Sequence, residues 1–496
     1  MKTTILLISI ISYFTINLHS QWQQDVRLTI DPGTSTTSLN NNKCIATNGD
    51  TIHIVWYDNR DGNEEIYYKR STDNGTNWGL DVRLTNSTGL SNYPVIFASG
   101  PNVRVAWRDS RDGNYEEYYK RSTDGGTTWS VDVRLTNAQF TSSIPSILVS
   151  GLNEYLVWHD YRDDPSNIVP EIYFKKSTDG GLSWLPELRL TNAPYSCENP
   201  TIALSNSIIH VAWADTRIGG APEIFYKRST DTGTNWSADT QLSNNPTTLV
   251  SNNPCITAFG SYLHVTWNDN RNFEYEIYYK RSTDNGTSWE SDTRLTNSSG
   301  ASYNSSLISN GSLVQFVWYD DRSGSFQIYY KRSIDNGSSW EPDLQLTTDI
   351  NGASSRPSMC ASGSQLNIMW CDFRDGNSEI YNKRNPLGNV VGVNYTNSGL
   401  PVQFSLSQNY PNPFNPTTNI EFSIPLSRGV SEGRGVFVNL TIYDAMGRTV
   451  ETLQNGEMKP GVYKAEWNAS SYPSGVYFYR LRAGSFSETK KMILIK

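Results

Sequence analysis

The sequence predicts an all-β chain: a seven-bladed β-propeller with four-stranded blades, its N-terminal strand closing the last blade, followed by a small Ig-like β-sandwich. Three observations predict it. The pattern Trp-x-Asp-x-Arg recurs as Trp56/Asp58/Arg60, Trp107/Asp109/Arg111, Trp158/Asp160/Arg162, Trp213/Asp215/Arg217, Trp267/Asp269/Arg271, Trp318/Asp320/Arg322 and Trp370/Asp372/Arg374, at steps of 51 to 55 residues. A fixed period of this size belongs to units that cannot bury their own apolar faces and must stack on neighbours. Each unit also offers four short runs rich in β-branched and aromatic residues and separated by Gly, Asn and Asp; in the second unit they are 93–99, 103–109, 116–121 and 133–136. Finally, the fourth-strand signature occurs before any complete unit, at Asp25-Val26-Arg27-Leu28-Thr29, and six more times down to 344–347, whereas the seventh unit stops at Arg384 without one. The early copy is expected to complete the last blade, which removes the exposed edges of an open array.

Residues 1–20 read as a secretory signal peptide: Lys2 precedes an apolar run over 5–18 that is short for a membrane span and carries Ser, Thr and Asn. No Cys stands at the expected cut, which argues against a lipid anchor, and no later segment is apolar enough to cross a bilayer. Residues 21–385 are then the propeller, 386–404 a linker and 405–496 the sandwich. A formal net charge of −8 argues against nucleic acid as a partner, because phosphate binders concentrate positive charge. The cysteines, Cys44, Cys197, Cys255, Cys360 and Cys371, read as small buried residues, with a Cys360–Cys371 bridge conceivable.

Asp61-Gly62 suits a two-residue hairpin turn, so Trp56 should oppose Tyr67 and Asp58 should oppose Glu65. Alternation puts Trp56, Asp58 and Arg60 on one face, from which Arg60 is expected to bridge Asp58 and Glu65. The set recurs with Glu116, Glu171, Glu223, Glu276, Gln327 and Glu379. Repeated clusters suit scaffolding. A glycosidase needs two carboxylates in unlike surroundings, and here the surroundings are copied. A calcium-loop register would place Tyr57 at the first ligand position, with no bidentate acid at the required distance. No metal and no cofactor is expected.

Ser71-Thr72-Asp73-Asn74-Gly75-Thr76-Asn77-Trp78 returns at 122–129, 177–184, 229–236, 282–289 and 333–340. It resembles the Asp box, Ser-x-Asp-x-Gly-x-x-Trp, of BNR-repeat sialidase-like propellers, with Asp73, Asp124, Asp179, Asp231, Asp284 and Asp335 at the acidic position. As physics it is a turn: Asp accepts backbone N–H bonds, Gly supplies a positive φ, and Trp packs on the blade. The resemblance implies that the boxes lie opposite a binding funnel. It does not carry over a sialidase active site, since sialidases are similar in having six blades, an arginine triad, an Arg-Ile-Pro motif, a Tyr/Glu nucleophile pair and an acidic Asp. This chain has seven units, no Arg-Ile-Pro, and arginines that belong to the repeat, so no catalytic residue is assigned.

A site should lie where the repeat breaks. The residue between Trp and Asp runs Tyr57, Arg108, His159, Ala214, Asn268, Tyr319, Cys371; the residue between Asp and Arg runs Asn59, Ser110, Tyr161, Thr216, Asn270, Asp321, Phe373. From these columns Tyr57, Arg108, His159, Tyr161, Asn268, Tyr319 and Phe373 are the candidate ligand contacts. Arg108 should oppose Glu117, where the other units have Ile, and the two read as an ion pair. In the third unit His159, Tyr161 and an insertion over 164–170 enlarge one loop.

The C-terminal part opens with Leu406-Ser407-Gln408-Asn409-Tyr410-Pro411-Asn412-Pro413-Phe414-Asn415-Pro416-Thr417-Thr418 and closes with Lys490-Lys491-Met492-Ile493-Leu494-Ile495-Lys496, and it resembles the sorting domain of type IX secretion. Alternating strands with Gly and Pro turns support a sandwich independently. The resemblance implies passage through the outer-membrane secretion machinery of a bacterium, then release or surface attachment. The expected function is non-catalytic binding of a glycan or protein on the loop-rich face; the alternatives are a glycosidase of the exo-α-sialidase-like class and a purely structural surface protein.

Overall fold

A computed structural model describes residues 22–495 apart from 40–42, 165, 167, 219, 247, 350–351, 387, 389–392, 398–400, 402, 426–435, 459–460 and 470–471. The signal peptide and its cut, parts of the 386–404 linker, and Pro165 and Asn167 of the third-unit insertion lie outside the described residues. The described residues are all-β. Seven four-stranded antiparallel sheets follow the repeat, the first with one extra inner strand, Ile45–Asn48. In blade 2 the strands are Ser91–Ser99, Asn102–Asp109, Glu116–Ser122 and Val133–Arg134. Inner strands touch in cyclic order and the last returns to the first, so the sheets form a closed ring.

The N-terminal strand Val26–Arg27 pairs with Glu379–Asn385 of blade 7, Val26 opposite Asn382 and Arg27 opposite Tyr381. Asp25 fixes the closure by bridging Arg374 and Lys383, both at 2.9 Å. Trp22 packs edge-on against Tyr330 of blade 6, at 5.4 Å between ring centres. Blade 7 has no Asp box, and Trp22 occupies the place a box tryptophan would take.

The second and third strands pair as the turn predicts, with Trp56 opposite Tyr67 and Asp58 opposite Glu65, and the register repeats in every blade. The seven repeat tryptophans are fully buried, each contributing roughly 2–3 kcal/mol of apolar burial. One expected contact is corrected. Arg60 does not reach Glu65; it holds Asp58 at 2.6 Å, Asp31 at 2.6 Å and Asp81 at 2.7 Å, with its guanidinium over the Tyr67 ring. Glu65 is served instead by Arg83 of the fourth strand at 2.8 Å and by the Thr85 hydroxyl at 2.5 Å. Stacking on Tyr67 turns the Arg60 fork toward the blade edge, so two arginines divide the two carboxylates.

The Asp boxes latch blade to blade. Asp73 accepts the Asn77 N–H at 2.7 Å and the Ser71 hydroxyl at 2.8 Å, closing the turn. The box tryptophans of blades 2 to 6 pack on an aromatic ring of the preceding blade's third strand, as Trp129 does on Tyr68 and Trp289 on Tyr226. Arginines of that strand reach the next box, Arg121 to the Gly180 carbonyl at 3.0 Å and, across the closure, Arg384 to the Asn74 carbonyl at 3.1 Å.

The C-terminal part is a two-sheet sandwich, one sheet of Val393–Asn397, Gly461–Asn468, Thr417–Ile424 and Ser405–Leu406, the other of Thr449–Met458, Val436–Asp444, Gly475–Ala483 and Phe486–Leu494. Between them lie Phe422, Leu440, Trp467, Tyr479 and Met492. Val393–Asn397 falls within the stretch read as linker and adds a strand to the first sheet. The five cysteines are free and buried; the conceivable Cys360–Cys371 bridge is absent because the register sets Cys360 opposite Asn367 and Cys371 opposite Ser355.

Candidate functional site

In blade 2 Ser91 pairs with Asp109 and Ser99 with Asn102. The links entering each inner strand and the loops from second to third strand therefore share one end of the ring, while the Asp boxes occupy the other. At the first end each inner strand from blade 2 onward carries a bulge, with one residue at positive φ: Tyr93 at 51°, Ile144 at 62°, Asn199 at 57°, Asn253 at 50°, Asn304 at 45° and Arg356 at 52°. A bulge re-aims side chains, and left-handed Tyr, Ile and Arg are uncommon. The bulge N–H is also a latch, donated by Asn199 to His159 Nδ1 at 3.4 Å and by Asn304 to Asn268 Oδ1 at 2.9 Å; in blade 1, at the equivalent position, Thr37 N–H donates to Cys371 Sγ at 3.1 Å.

The structure therefore sorts the candidate residues. His159 and Asn268 are buried between blades and spend polar atoms on these latches. Burial lowers the His159 imidazole pKa to about 3, with Arg108 acting in the same direction. Tyr161 stands edge-on to His159 at 5.6 Å, half-buried, its hydroxyl pKa raised by burial and by Glu198. Tyr57 and the exposed Phe373 line one cavity of about 260 Å³ with Asn59, Glu64 and Arg356. Arg108 lies between two rings, its guanidinium carbon 4.1 Å from the centres of both Tyr93 and Tyr115. Tyr319 joins Tyr303 at 5.6 Å and Phe326 at 5.1 Å, and Tyr303 continues to Tyr275 at 5.1 Å.

These contacts form an arc along the loop-rich lip. From Tyr275 it passes through Tyr303 and Tyr319 to Arg356, whose charge bears on the Tyr319 hydroxyl, then to Tyr57 and Tyr93, 5.9 Å apart, and ends at Arg108 and Tyr115. Sequence reasoning missed Tyr93, Arg356, Tyr115, Tyr275, Tyr303 and Phe326. The signal for the first two was the variable residue ahead of the recurrent proline, Tyr93-Pro94 and Arg356-Pro357.

The expected Arg108–Glu117 ion pair is not formed. The two are Cα partners, but Arg108 turns away and donates from Nε to Asn92 Oδ1 at 2.5 Å and from Nη1 to Ser143 Oγ at 3.0 Å. Two aromatic faces and two neutral acceptors, Asn92 on the neighbouring inner strand and Ser143 on blade 3, hold it better than a carboxyl whose ionisation burial opposes. Glu117 is fully buried, neither of its side-chain oxygens has a hydrogen-bond partner, and burial raises its pKa well above the ordinary carboxyl range.

The repeat carboxylates are saturated. Burial pushes the Asp58 carboxyl pKa up, but hydrogen bonds from Arg60 and Ser35 outweigh it and hold it below the usual range. Among the described residues no group of three or more His, Cys, Asp or Glu side chains is placed to hold a metal ion, and no helix is long and apolar enough to cross a membrane.

Residues 171–369 match the BNR repeat-like domain and residues 408–496 the secretion system C-terminal sorting domain. No curated protein matches the chain. Among solved structures, a PL25 ulvan lyase bound to a GlcA–sulfated rhamnose unit is similar at a TM-score of 0.54 and 10% identity, over 72% of this chain and 95% of that one. The polysaccharide lyase Uly1 is similar at 0.52 and 9% identity, over 74% and 100%. The Hadza microbial sialidase Hz136 is similar at 0.42 and 14% identity, over 67% and 73%. At these identities the likeness is one of fold.

Proposed function

Starting from a chain that joins a sialidase-like BNR repeat propeller to a type IX secretion sorting domain, and so is exported to the cell surface or beyond it, we propose that it holds polysaccharide on the loop-rich lip without cleaving it. The supporting observation is the arc from Tyr275 to Tyr115. Its rings offer stacking faces to sugars, and its guanidinium, amide and hydroxyl groups fix their orientation, the mixture that saccharide sites use. Catalytic candidates are spent elsewhere: His159 accepts a backbone N–H, Glu117 is sealed from solvent, and the repeat aspartates are held by arginine.

A second reading, polysaccharide lyase or glycosidase, is favoured by Arg108, His159, Tyr161 and Glu198 bearing on one another at the junction of blades 2 to 4, and by the lyases that share the fold. Affinity electrophoresis of the mature protein on a polysaccharide panel, run beside assays for reducing ends and for unsaturated sugar ends, tests both. Binding without turnover is expected, with Tyr303→Ala weakening retention by about tenfold, the loss of one stacked ring at roughly 1.4 kcal/mol. Turnover abolished by Tyr161→Phe replaces the binding reading with the second. Retention on no polysaccharide leaves the propeller a structural surface protein.

A further inference from the structure

The arginines of the repeat are all spent, each carrying a bridge of 2.5–2.6 Å to its own aspartate. Two arginines on the lip are not. Among the described residues Arg108 and Arg356 have no carboxylate within 4.0 Å. Arg108 commits Nε and Nη1 to Asn92 and Ser143 and keeps Nη2 for the lip, its plane clamped by Tyr93 and Tyr115. Arg356, on its left-handed bulge, makes one long bond of 3.4 Å to the Tyr57 hydroxyl at the edge of the 260 Å³ cavity. Glu64, the carboxylate lining that cavity, accepts Asn92 Nδ2 at 2.5 Å. A guanidinium held flat with an open edge is a preformed fork for a planar or tetrahedral oxyanion.

Behind Arg108 stands the carboxyl it does not touch. Glu117 is its Cα partner across the strand pair, is fully buried, and has two oxygens with no hydrogen bond. A buried polar group without a partner costs free energy, so an unbonded acid facing an arginine calls for an explanation. The charged groups bearing on it are Arg108 from its own sheet, Asp160 from blade 3 and Glu116 beside it; the buried His159 also feels Arg108.

We propose that Arg108 and Arg356 seat an anionic substituent of the polysaccharide, a carboxylate or a sulfate ester, and that Glu117 is the internal partner that competes for Arg108. The proposal rests on the binding reading. With its proton in place Glu117 leaves Arg108 on the lip. When the proton passes to water, a carboxylate in a low-dielectric site faces a guanidinium one strand away, Arg108 turns inward off Tyr93 and Tyr115, and the anionic seat opens. Anionic ligands are therefore held while Glu117 keeps its proton and released as rising pH removes it.

The test uses the mature full-length protein and three polymers with one backbone: dextran, carboxymethyl dextran and dextran sulfate. The charged polymers should bind at least about tenfold tighter than dextran, and Arg108→Gln or Arg356→Gln should remove about that factor, the size of one charge-assisted bond, without shifting the melting temperature. Which charged polymer is preferred tells carboxylate from sulfate. As pH is raised from about 5 in roughly constant salt, wild-type affinity should fall several-fold more than that of Glu117→Gln, whose side chain cannot ionise. Glu117→Ile, the residue of the other blades, should behave like Gln and controls for a fold defect. Binding of dextran with no gain from charge overturns the anionic seat but leaves the binding reading standing. An unchanged pH profile in both Glu117 variants overturns the competition. Binding of none of the polymers falls on the binding reading itself.

Discussion

The hydroxyl of Tyr68 in blade 1 lies over Gly126 in the Asp box of blade 2, where a Cβ would sit 2.0 Å from it. The same approach recurs between Tyr119 and Gly181, Tyr226 and Gly286, and Tyr279 and Gly337. The box glycine is thus required twice, for a positive φ within its own blade and for the neighbour's ring above it. Gly126→Ala should destabilise the propeller by roughly 2–4 kcal/mol, from a strained backbone and an overpacked interface, read as a lower urea midpoint. An unchanged midpoint would mean that the blades slip past each other freely.

Closure of the ring rests on few groups and should fail locally first. Asp25→Ala leaves Arg374 and Lys383 without their shared carboxylate, at a cost of about 1–3 kcal/mol. The expected signature is faster proteolysis of the N-terminal strand, ahead of any change elsewhere. Uniform cleavage along the chain would show that the closing strand is not a separate weak point.

Acid should loosen the propeller before its carboxylates titrate. Burial lowers the imidazole pKa to about 4 for His53 and about 3 for His210 and His264, each hydrogen-bonded through Nδ1 to a tyrosine hydroxyl at 2.7 Å. A pKa lowered on folding means that the unfolded chain binds the extra proton. Stability is then complete above the unfolded value near 6.5 and falls as pH drops toward 4, by up to roughly 3 kcal/mol per histidine. Gln315 fills the same position in blade 6, bonded to Tyr330, so His53→Gln, His210→Gln and His264→Gln together should flatten the melting-temperature profile between pH 4 and 6.5. An unaltered profile would assign that acid lability to His159, whose imidazole pKa burial also lowers to about 3, or to the carboxylates.

Glu117 acts with the opposite sign. Its folded pKa is raised, so above pH 4.5 the unfolded chain releases a proton that the folded chain keeps, and stability declines as pH rises. Glu117→Ile should stabilise the protein at pH 7 by about 1–3 kcal/mol, with a smaller gain near pH 4.5. A loss of stability would show that the carboxyl has a partner in solution.

The sequence by itself determined the ring. A repeat that needs neighbours, a fourth-strand signature displaced to the N-terminus and an Asp-Gly turn fix blade count, closure and the pairing of Asp58 with Glu65, because strand alternation and turn geometry are local. It also pointed to the columns that hold Tyr57, Arg108 and Tyr319. Tertiary structure decided what those columns do. Whether a side chain between Trp and Asp faces the lip or a neighbouring blade depends on the inner-strand bulge, which turned His159 and Asn268 into latches and brought Tyr93 and Arg356 to the rim. The direction of Arg108 was likewise set by Tyr93 and Tyr115, which lie 15 residues before it and 7 after it in sequence and meet over its guanidinium only in the fold. Local rules set which residues oppose each other in a sheet; which charge finds which partner is settled by burial and by competing contacts from other strands.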